Sequence, residues 1–308
     1  MKYLKLIRYQ NLLMLALMQL IFRYGFLELQ NIPLALSDWQ YVLLVLSTIS
    51  IAAGGYVINN IFDIETDTEN KPQDVIVGRF ISETQAYNLY IGFTVLGVVL
   101  GFYLSNVIEK PSFASIFIVI AATLYFYATS LKQSVLIGNF MVALLLSFSV
   151  IIIGIFDLYP VTFEHNRPIM GLLFSLILDY AIFAFMINFI REIVKDLEDK
   201  NGDLSQGMNT LPIVLGVNRT TKLVCGLSLI PIIFILNYIN VHLFASRLLF
   251  GTVYGLVFIG APLFYFMIKI WSAKQTQDFH HLSTVLKWIL FFGIFSIVVI
   301  HLNIKYNA

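Results

Sequence analysis

The sequence predicts an all-α, polytopic membrane protein with about nine transmembrane helices. Of its 308 residues, 59% are hydrophobic and 12% charged, against about 45–50% and about 25% in an average soluble domain. The mean hydropathy is +0.84. Apolar runs reach roughly 20 residues, the length of a helix that crosses the hydrocarbon core and about twice that of a barrel strand. So little charge cannot cover a water-soluble globule of this size, and disorder requires the opposite composition.

In chain order the spans fall at about residues 11–29, 41–62, 85–105, 112–130, 135–157, 169–194, 220–240, 246–269 and 284–304. The segment before the first, Met1-Lys-Tyr-Leu-Lys-Leu-Ile-Arg8, has the charge of a signal n-region. The apolar stretch behind it is long, contains Gln19, Arg23 and Tyr24, and lacks a small-residue cleavage site, so it is expected to remain as a span. Gly54-Gly55 in the second span lets that helix pack closely or leaves room for a substrate. The fifth, eighth and ninth spans carry no charge at their centres. Asp179 lies inside the sixth span and Arg23 inside the first. Ionisable groups at such depth are functional candidates by default, and a buried structural pair between these two is the preferred expectation. The seventh span holds Cys225, the single cysteine, which excludes an internal disulfide and a cysteine-based metal cluster.

Lysine and arginine orient the spans. With the N-terminus cytoplasmic, fourteen of them lie inside and four outside, with Arg23 within a span. The C-terminus then lies outside, and the expected location is the plasma (inner) membrane. The two longest loops, at about 63–84 and 195–219, both fall on the cytoplasmic side. One membrane domain over residues 1–308 with these two elaborations is expected. The net charge of +1 offers no basic field for nucleic acid.

Ten of the eighteen acidic residues sit in two short windows at the cytoplasmic ends of spans two and six. The first reads Asn59-Asn-Ile-Phe-Asp63-Ile-Glu65-Thr-Asp67-Thr-Glu69-Asn-Lys71, with Asp74 beyond. The second reads Arg191-Glu192-Ile-Val-Lys195-Asp196-Leu-Glu198-Asp199-Lys-Asn-Gly202-Asp203. Their separation by four spans hints at an internal repeat. Asn59, Asp63 and Asp67 share one helical face, as do Asp196, Asp199 and Asp203. Carboxylates stacked this way repel one another, and a divalent cation is the simplest way to offset them. Oxygen ligands without Cys or His suit Mg2+, which keeps waters and is shared with substrate phosphates. Two such faces read as a diphosphate clamp. The interleaved Lys71, Arg79, Arg191 and Lys195 suit phosphate oxygens.

At these windows the sequence resembles the UbiA superfamily of intramembrane prenyltransferases. The matching strings are Asn59-Asn60-Ile-Phe-Asp63-Ile-Glu-Thr-Asp67 and Lys195-Asp196-Leu-Glu-Asp199-Lys-Asn-Gly202-Asp203, with Asn60 where the family often has Asp. Tyr127-Ala-Thr-Ser-Leu-Lys132, Leu136-Ile-Gly138-Asn139 and Thr210-Leu-Pro212 are similar as well. The resemblance runs from about residue 8 to about residue 220. It implies nine helices around a central cavity capped by the cytoplasmic loops. It also implies the reaction: an allylic isoprenyl diphosphate bound through Mg2+ ionises, and a lipophilic acceptor attacks the allylic carbon. By that analogy Asn59, Asp63, Asp67, Asp196, Asp199 and Asp203 hold the metal and diphosphate. Asp63, Asp67, Asp199 and Asp203 are the catalytic candidates among them. Arg79, Lys132 and Lys195 contact phosphate, with Arg191, Asp74 and the amide of Asn59 as additions.

The second window looks most like the subgroup that prenylates geranylgeranylglyceryl phosphate, although the Pro-Ser that often precedes Gly-Arg is absent at Val77-Gly78-Arg79. An aromatic acceptor, as in quinone biosynthesis, is the main alternative. A cation-coupled transporter would instead carry carboxylates near the midplane on interrupted helices. Most of the 27 Phe, 16 Tyr and 3 Trp are expected to pack the core or the interfaces. Tyr56 and Tyr127, each about a turn from a motif, are candidates for facing an allylic cation. His280-His281 is expected in a solvated loop. No phosphate loop of the Walker type, HExxH or nucleophile elbow is present.

Overall fold

The computed structural model describes residues 2–307, which are helical apart from turns and one isolated bridge between Val77 and Ile81. Among these residues nine helices are long and apolar enough to cross a membrane: Tyr9–Gln30, Asp38–Phe62, Glu83–Val107, Pro111–Thr129, Ile137–Val161, Arg167–Ser205, Val217–Phe244, Leu249–Ser272 and Thr276–Tyr306. Each overlaps its predicted span. Local chemistry sets several ends. Ser37 and Ser82 open the second and third helices with capping boxes completed by Gln40 and Gln85.

The second helix packs along the third and fourth through its glycine pair. A Cβ on Gly54 would lie 2.7 Å from Thr94 Oγ1, and one on Gly55 would lie 3.0 Å from Leu124. Spans one to six and nine enclose one apolar cluster that includes Phe22, Tyr41, Phe117 and Phe156, and spans six to nine enclose a second around Leu263, Phe266 and Leu286.

Three expectations need correction. Arg23 does not pair with Asp179. Its guanidinium contacts the Asp157 carboxylate at the far end of the fifth span and donates to the Leu36 carbonyl at 2.7 Å, while Leu36 N–H donates to Asp157 at 3.1 Å. Asp179 instead lies on the side of the sixth span that faces Tyr238 and His242. Second, the two long loops contain helix, which makes up most of the second. Ile64–Asn70 forms a short helix, and the sixth helix runs unbroken for 39 residues to Ser205. At about 1.5 Å per residue it is roughly 58 Å long, well beyond an apolar core of about 30 Å. Third, His280 and His281 lie in the first turns of the ninth helix rather than in a loop. His280 Nδ1 is 3.1 Å from Glu198 Oε1, and His281 Nε2 is 2.9 Å from the Tyr265 hydroxyl.

Candidate active site

The first acidic window crosses a helix break without losing its face. Asp63 has φ −97° and ψ 2°, which ends the second span. Yet its N–H donates to the Asn59 carbonyl at 2.9 Å, and Asp67 N–H donates to the Asp63 carbonyl at 2.8 Å. Helical register therefore carries Asn59, Asp63 and Asp67 onto one side. The second window lies on the part of the sixth helix that extends beyond the apolar span, where its i, i+3, i+7 spacing is realised directly.

Asn70 and Gly202 fasten the two windows together. Asn70 Nδ2 donates to the Asp199 carbonyl at 2.8 Å, and Gly202 N–H donates to Asn70 Oδ1 at 2.9 Å. A Cβ at Gly202 would sit 2.4 Å from Asn70 Nδ2 and 2.7 Å from the Thr66 carbonyl oxygen, so only glycine permits the approach. Lys71 adds an ion pair at 2.8 Å to each of Glu198 and Asp199.

The result is a cavity of about 100 Å³ onto which Asn59, Asp63, Asp67, Asp196, Asp199 and Asp203 all face. Lys132 and Lys195 line it too. The Lys132 ammonium rests against one Asp63 oxygen, and Asn59 Nδ2 donates to the other at 2.6 Å. Asn139 Nδ2 donates to Asp196 at 2.8 Å. Burial pushes Lys132 down to about 8, although Asp203, Asp199 and Asp196 pull the other way. Burial also raises the Asp67 carboxyl above its ordinary range, with Asp199 adding to it and Arg8 opposing. Burial opposes the charge of Lys71, but Asp199 and Glu198 outweigh it and hold the ammonium above its usual value.

These residues fit a hard divalent cation. Every donor is a carboxylate or amide oxygen. Asn59 Oδ1 is buried and has no hydrogen-bond partner among the described residues, which leaves an acceptor free for a ligand. Among the described residues no three carboxylate or imidazole groups stand close enough to hold an ion unaided. Such an open arrangement suits Mg2+, whose coordination is completed by waters and phosphate oxygens.

Two predicted phosphate contacts stand outside this cavity. Arg79 is exposed, donates to the Pro72 carbonyl at 3.2 Å and lies against Phe80, because the turn at Gly78 directs it outward. Arg191 contacts Glu192 at 3.4 Å and lines the neighbouring cavities and vestibule instead. Asp74 lines only a polar vestibule of about 610 Å³ that communicates with the site through Arg8, Asp67, Lys195 and Asp199. Sequence reasoning gave no role to Arg8, Glu192 or Asn139, all of which line the site. The signal for Arg8 was an arginine one turn before Asn11 at a span entrance, hidden by its likeness to an n-region.

On the membrane side the site opens into an apolar cavity of about 150 Å³ between spans one, two, four, five and six. Tyr127, Asn59, Glu192 and Lys195 border both. Tyr56 also lines the apolar cavity, with the Arg8 guanidinium 5.3 Å from its ring centre. A polar head with several carboxylates and two lysines thus meets a greasy channel, an arrangement suited to a diphosphate with a hydrocarbon tail.

Comparison with known proteins gives a consistent result. The family model of the UbiA prenyltransferase family matches residues 26–300. Digeranylgeranylglyceryl phosphate synthase of Saccharolobus solfataricus is 32% identical over 253 residues, which is 80% of this chain and 82% of that protein. The fold is similar to that of a UbiA homolog from Aeropyrum pernix, with TM-score 0.66 at 11% identity, covering 97% of this chain and 98% of the other. It is likewise similar to a UbiA homolog from Archaeoglobus fulgidus bound to GPP and Mg2+, with TM-score 0.61 at 17% identity, covering 96% of this chain and 99% of the other.

Proposed function

The chain belongs to the UbiA prenyltransferase family and is an intramembrane prenyltransferase; on that premise we propose that residues 1–308 act as one catalytic unit on an allylic isoprenyl diphosphate and a lipid acceptor of the glyceryl phosphate type. The observation that carries this reading is the convergence of all six residues from two distant acidic windows on one small cavity. The relative from Saccharolobus solfataricus supports the acceptor class through its name, and the second-window string supports it through its sequence.

In this reading Asn59, Asp63, Asp67, Asp196, Asp199 and Asp203 hold Mg2+ together with the donor's diphosphate. When bound, Mg2+ offsets the charge that gathers on the departing diphosphate. Lys132 and Lys195 hold phosphate oxygens, and Arg8 contributes from the vestibule side. The isoprenoid tail lies in the apolar cavity below Tyr127. The allylic carbon–oxygen bond breaks and its electron pair leaves with the diphosphate. Tyr127 and Tyr56 keep water from the allylic cation and offer it their ring faces. The acceptor's hydroxyl oxygen then closes a new carbon–oxygen bond and releases its proton into the polar vestibule.

The protein is an integral membrane protein. We assign the N-terminus and this polar end to the cytoplasm and the membrane to the plasma (inner) membrane, a reading supported by fourteen Lys and Arg on that side against four on the other.

The test is transfer by purified protein in detergent, using radiolabelled geranylgeranyl diphosphate with geranylgeranylglyceryl phosphate and with a panel of aromatic acids. Asp63→Ala and Asp199→Ala are each expected to lower the rate by about 100-fold or more. Wild-type rates in both variants would remove the proposed site. Transfer to aromatic acids alone would replace the acceptor.

A further inference from the structure

The chain has a second apolar cavity beside the first. It measures about 130 Å³ and lies between spans one, six and nine, walled by Met18, Phe22, Tyr180, Phe183, Leu290 and Ile294. It shares a wall with the first cavity at Asn11, Leu15, Ala52, Tyr56, Leu146, Ser149 and Arg191. Their polar mouths meet at Asn11 and Arg191 and differ beyond them, with Asn59, Glu192 and Lys195 on the first and Lys287 on the second. The first opens on the carboxylates. The second shares Asn11, Arg191 and Lys287 with the polar vestibule and none of the six metal-side residues.

The lining of this second cavity holds two cations, Arg191 and Lys287, and no carboxylate. Arg8 and Lys195 join them only in the vestibule, which Asp67, Asp74, Glu198 and Asp199 also line, and among the described residues the one carboxylate within ion-pair distance of any of these four cations is Glu192. Neither Arg8 nor Lys287 has an anionic partner at that distance. Arg191 reaches Glu192 only at 3.4 Å, and its Nε is buried without a hydrogen-bond partner among the described residues. Lys287 stands on the ninth helix beside Trp288, Ile289 and Leu290, where its charge and that of Arg191 repel. Half-buried cations of like sign are costly unless an anion joins them.

We propose that Lys287 and Arg191 form a second anion site, separate from the diphosphate cavity, that takes the phosphate monoester of a lipid acceptor whose chain lies between spans one, six and nine. The proposal rests on the prenyltransferase reading and names which side chains select the acceptor. Two cations suit a doubly charged headgroup, and the adjoining cavity suits its hydrocarbon. Lys287 is then a specificity-determining residue that does not touch the donor. The shared wall at Tyr56 and Ser149 is where the two chains come together.

Equilibrium binding to the full chain in detergent tests this without requiring turnover. The probes are geranylgeranylglyceryl phosphate, the same lipid with its phosphate removed, and glycerol phosphate without the chain. The phosphorylated lipid should bind at least about tenfold more tightly than the alcohol, as expected for charge-assisted hydrogen bonds. Glycerol phosphate should bind at least about tenfold more weakly than the whole lipid because it leaves the apolar cavity empty. Lys287→Gln should erase the preference for phosphate over alcohol while geranylgeranyl diphosphate binds within about twofold of wild type, and Lys287→Arg should restore it. Equal affinity for phosphate and alcohol in the wild type, a preference that survives Lys287→Gln, or an equal loss of donor binding overturns the proposal. So does glycerol phosphate binding as tightly as the lipid, which would mark a free-phosphate site. The two readings fail separately. A wild type that binds the lipid through Lys287 but transfers nothing defeats the proposed function. Transfer that depends on Asp63 alongside binding indifferent to Lys287 defeats only this site.

Discussion

Lys132 and Arg23 illustrate opposite uses of a cation in an apolar protein. Lys132 rests on Asp63 inside a cavity where incoming charge must be accommodated, and burial has already brought it down to about 8. Its partner is one that a phosphate can replace. Arg23 is held on several sides, by Asp157, by the Leu36 carbonyl and by the ring of Tyr41 at 5.0 Å, far from any acidic window. That makes it architectural. Asp157→Ala leaves a buried guanidinium without its carboxylate and should destabilise the protein by about 3–5 kcal/mol. The check is thermal unfolding in detergent, with transfer measured well below the transition staying near wild type; an unchanged transition would show that the pair contributes nothing. Sequence alone identified Arg23 as buried and paired but chose Asp179 as its partner. Depth along a span is readable from sequence, whereas the azimuth that turns Asp157 toward the first span depends on packing.

At the scale of elements, the site is made by helices that continue past the membrane. Hydropathy located all nine spans but stopped at the interface, ending the sixth at 194 instead of Ser205 and starting the ninth at 284 instead of Thr276, so both motif segments read as loops. Backbone hydrogen bonding does not stop there. The sixth helix continues to Ser205, supported by the Glu192–Lys195 pair at 2.7 Å, and the short helix Ile64–Asn70 docks against it. The i, i+4, i+8 and i, i+3, i+7 spacings were legible because they belong to helices. The docking contact at Gly202 was not, since it depends on two segments 132 residues apart. A helix-interior glycine replaced by alanine would ordinarily gain up to about 1 kcal/mol. Here the added methyl meets Asn70 and the Thr66 carbonyl, and overpacking of about 1–3 kcal/mol should win. Gly202→Ala is therefore expected to lower the unfolding temperature and raise the KM for the diphosphate donor severalfold. A variant more stable than wild type with an unchanged KM would show that the two segments need not lie so close.

Taken whole, the molecule concentrates its polar chemistry at one end of an otherwise apolar bundle. The first, second, sixth and ninth spans deliver Arg8, Asp67, Asp199 and Lys287 to the same vestibule, while Arg23 and Asp157 close the opposite end. This agrees with a chain that alternates direction through nine crossings, and it follows from the lysine and arginine bias that the sequence already displays. Alternation shows which residues share an end but not which of them meet, so Lys132 could be grouped with the carboxylates while Arg79 and Arg191 could not be separated from them. The central claim is that the Asp63 and Asp199 segments hold one metal and one diphosphate between them. A double-mutant cycle on Mg2+-dependent binding of geranylgeranyl diphosphate, using Asp63→Ala, Asp199→Ala and the pair, measures this directly. If the ligand is shared, each single change should weaken binding by about 100-fold and the pair by no more than about tenfold beyond either one. Losses that simply multiply, or a single variant that binds the donor as wild type does, would mean that the two segments act on separate ligands.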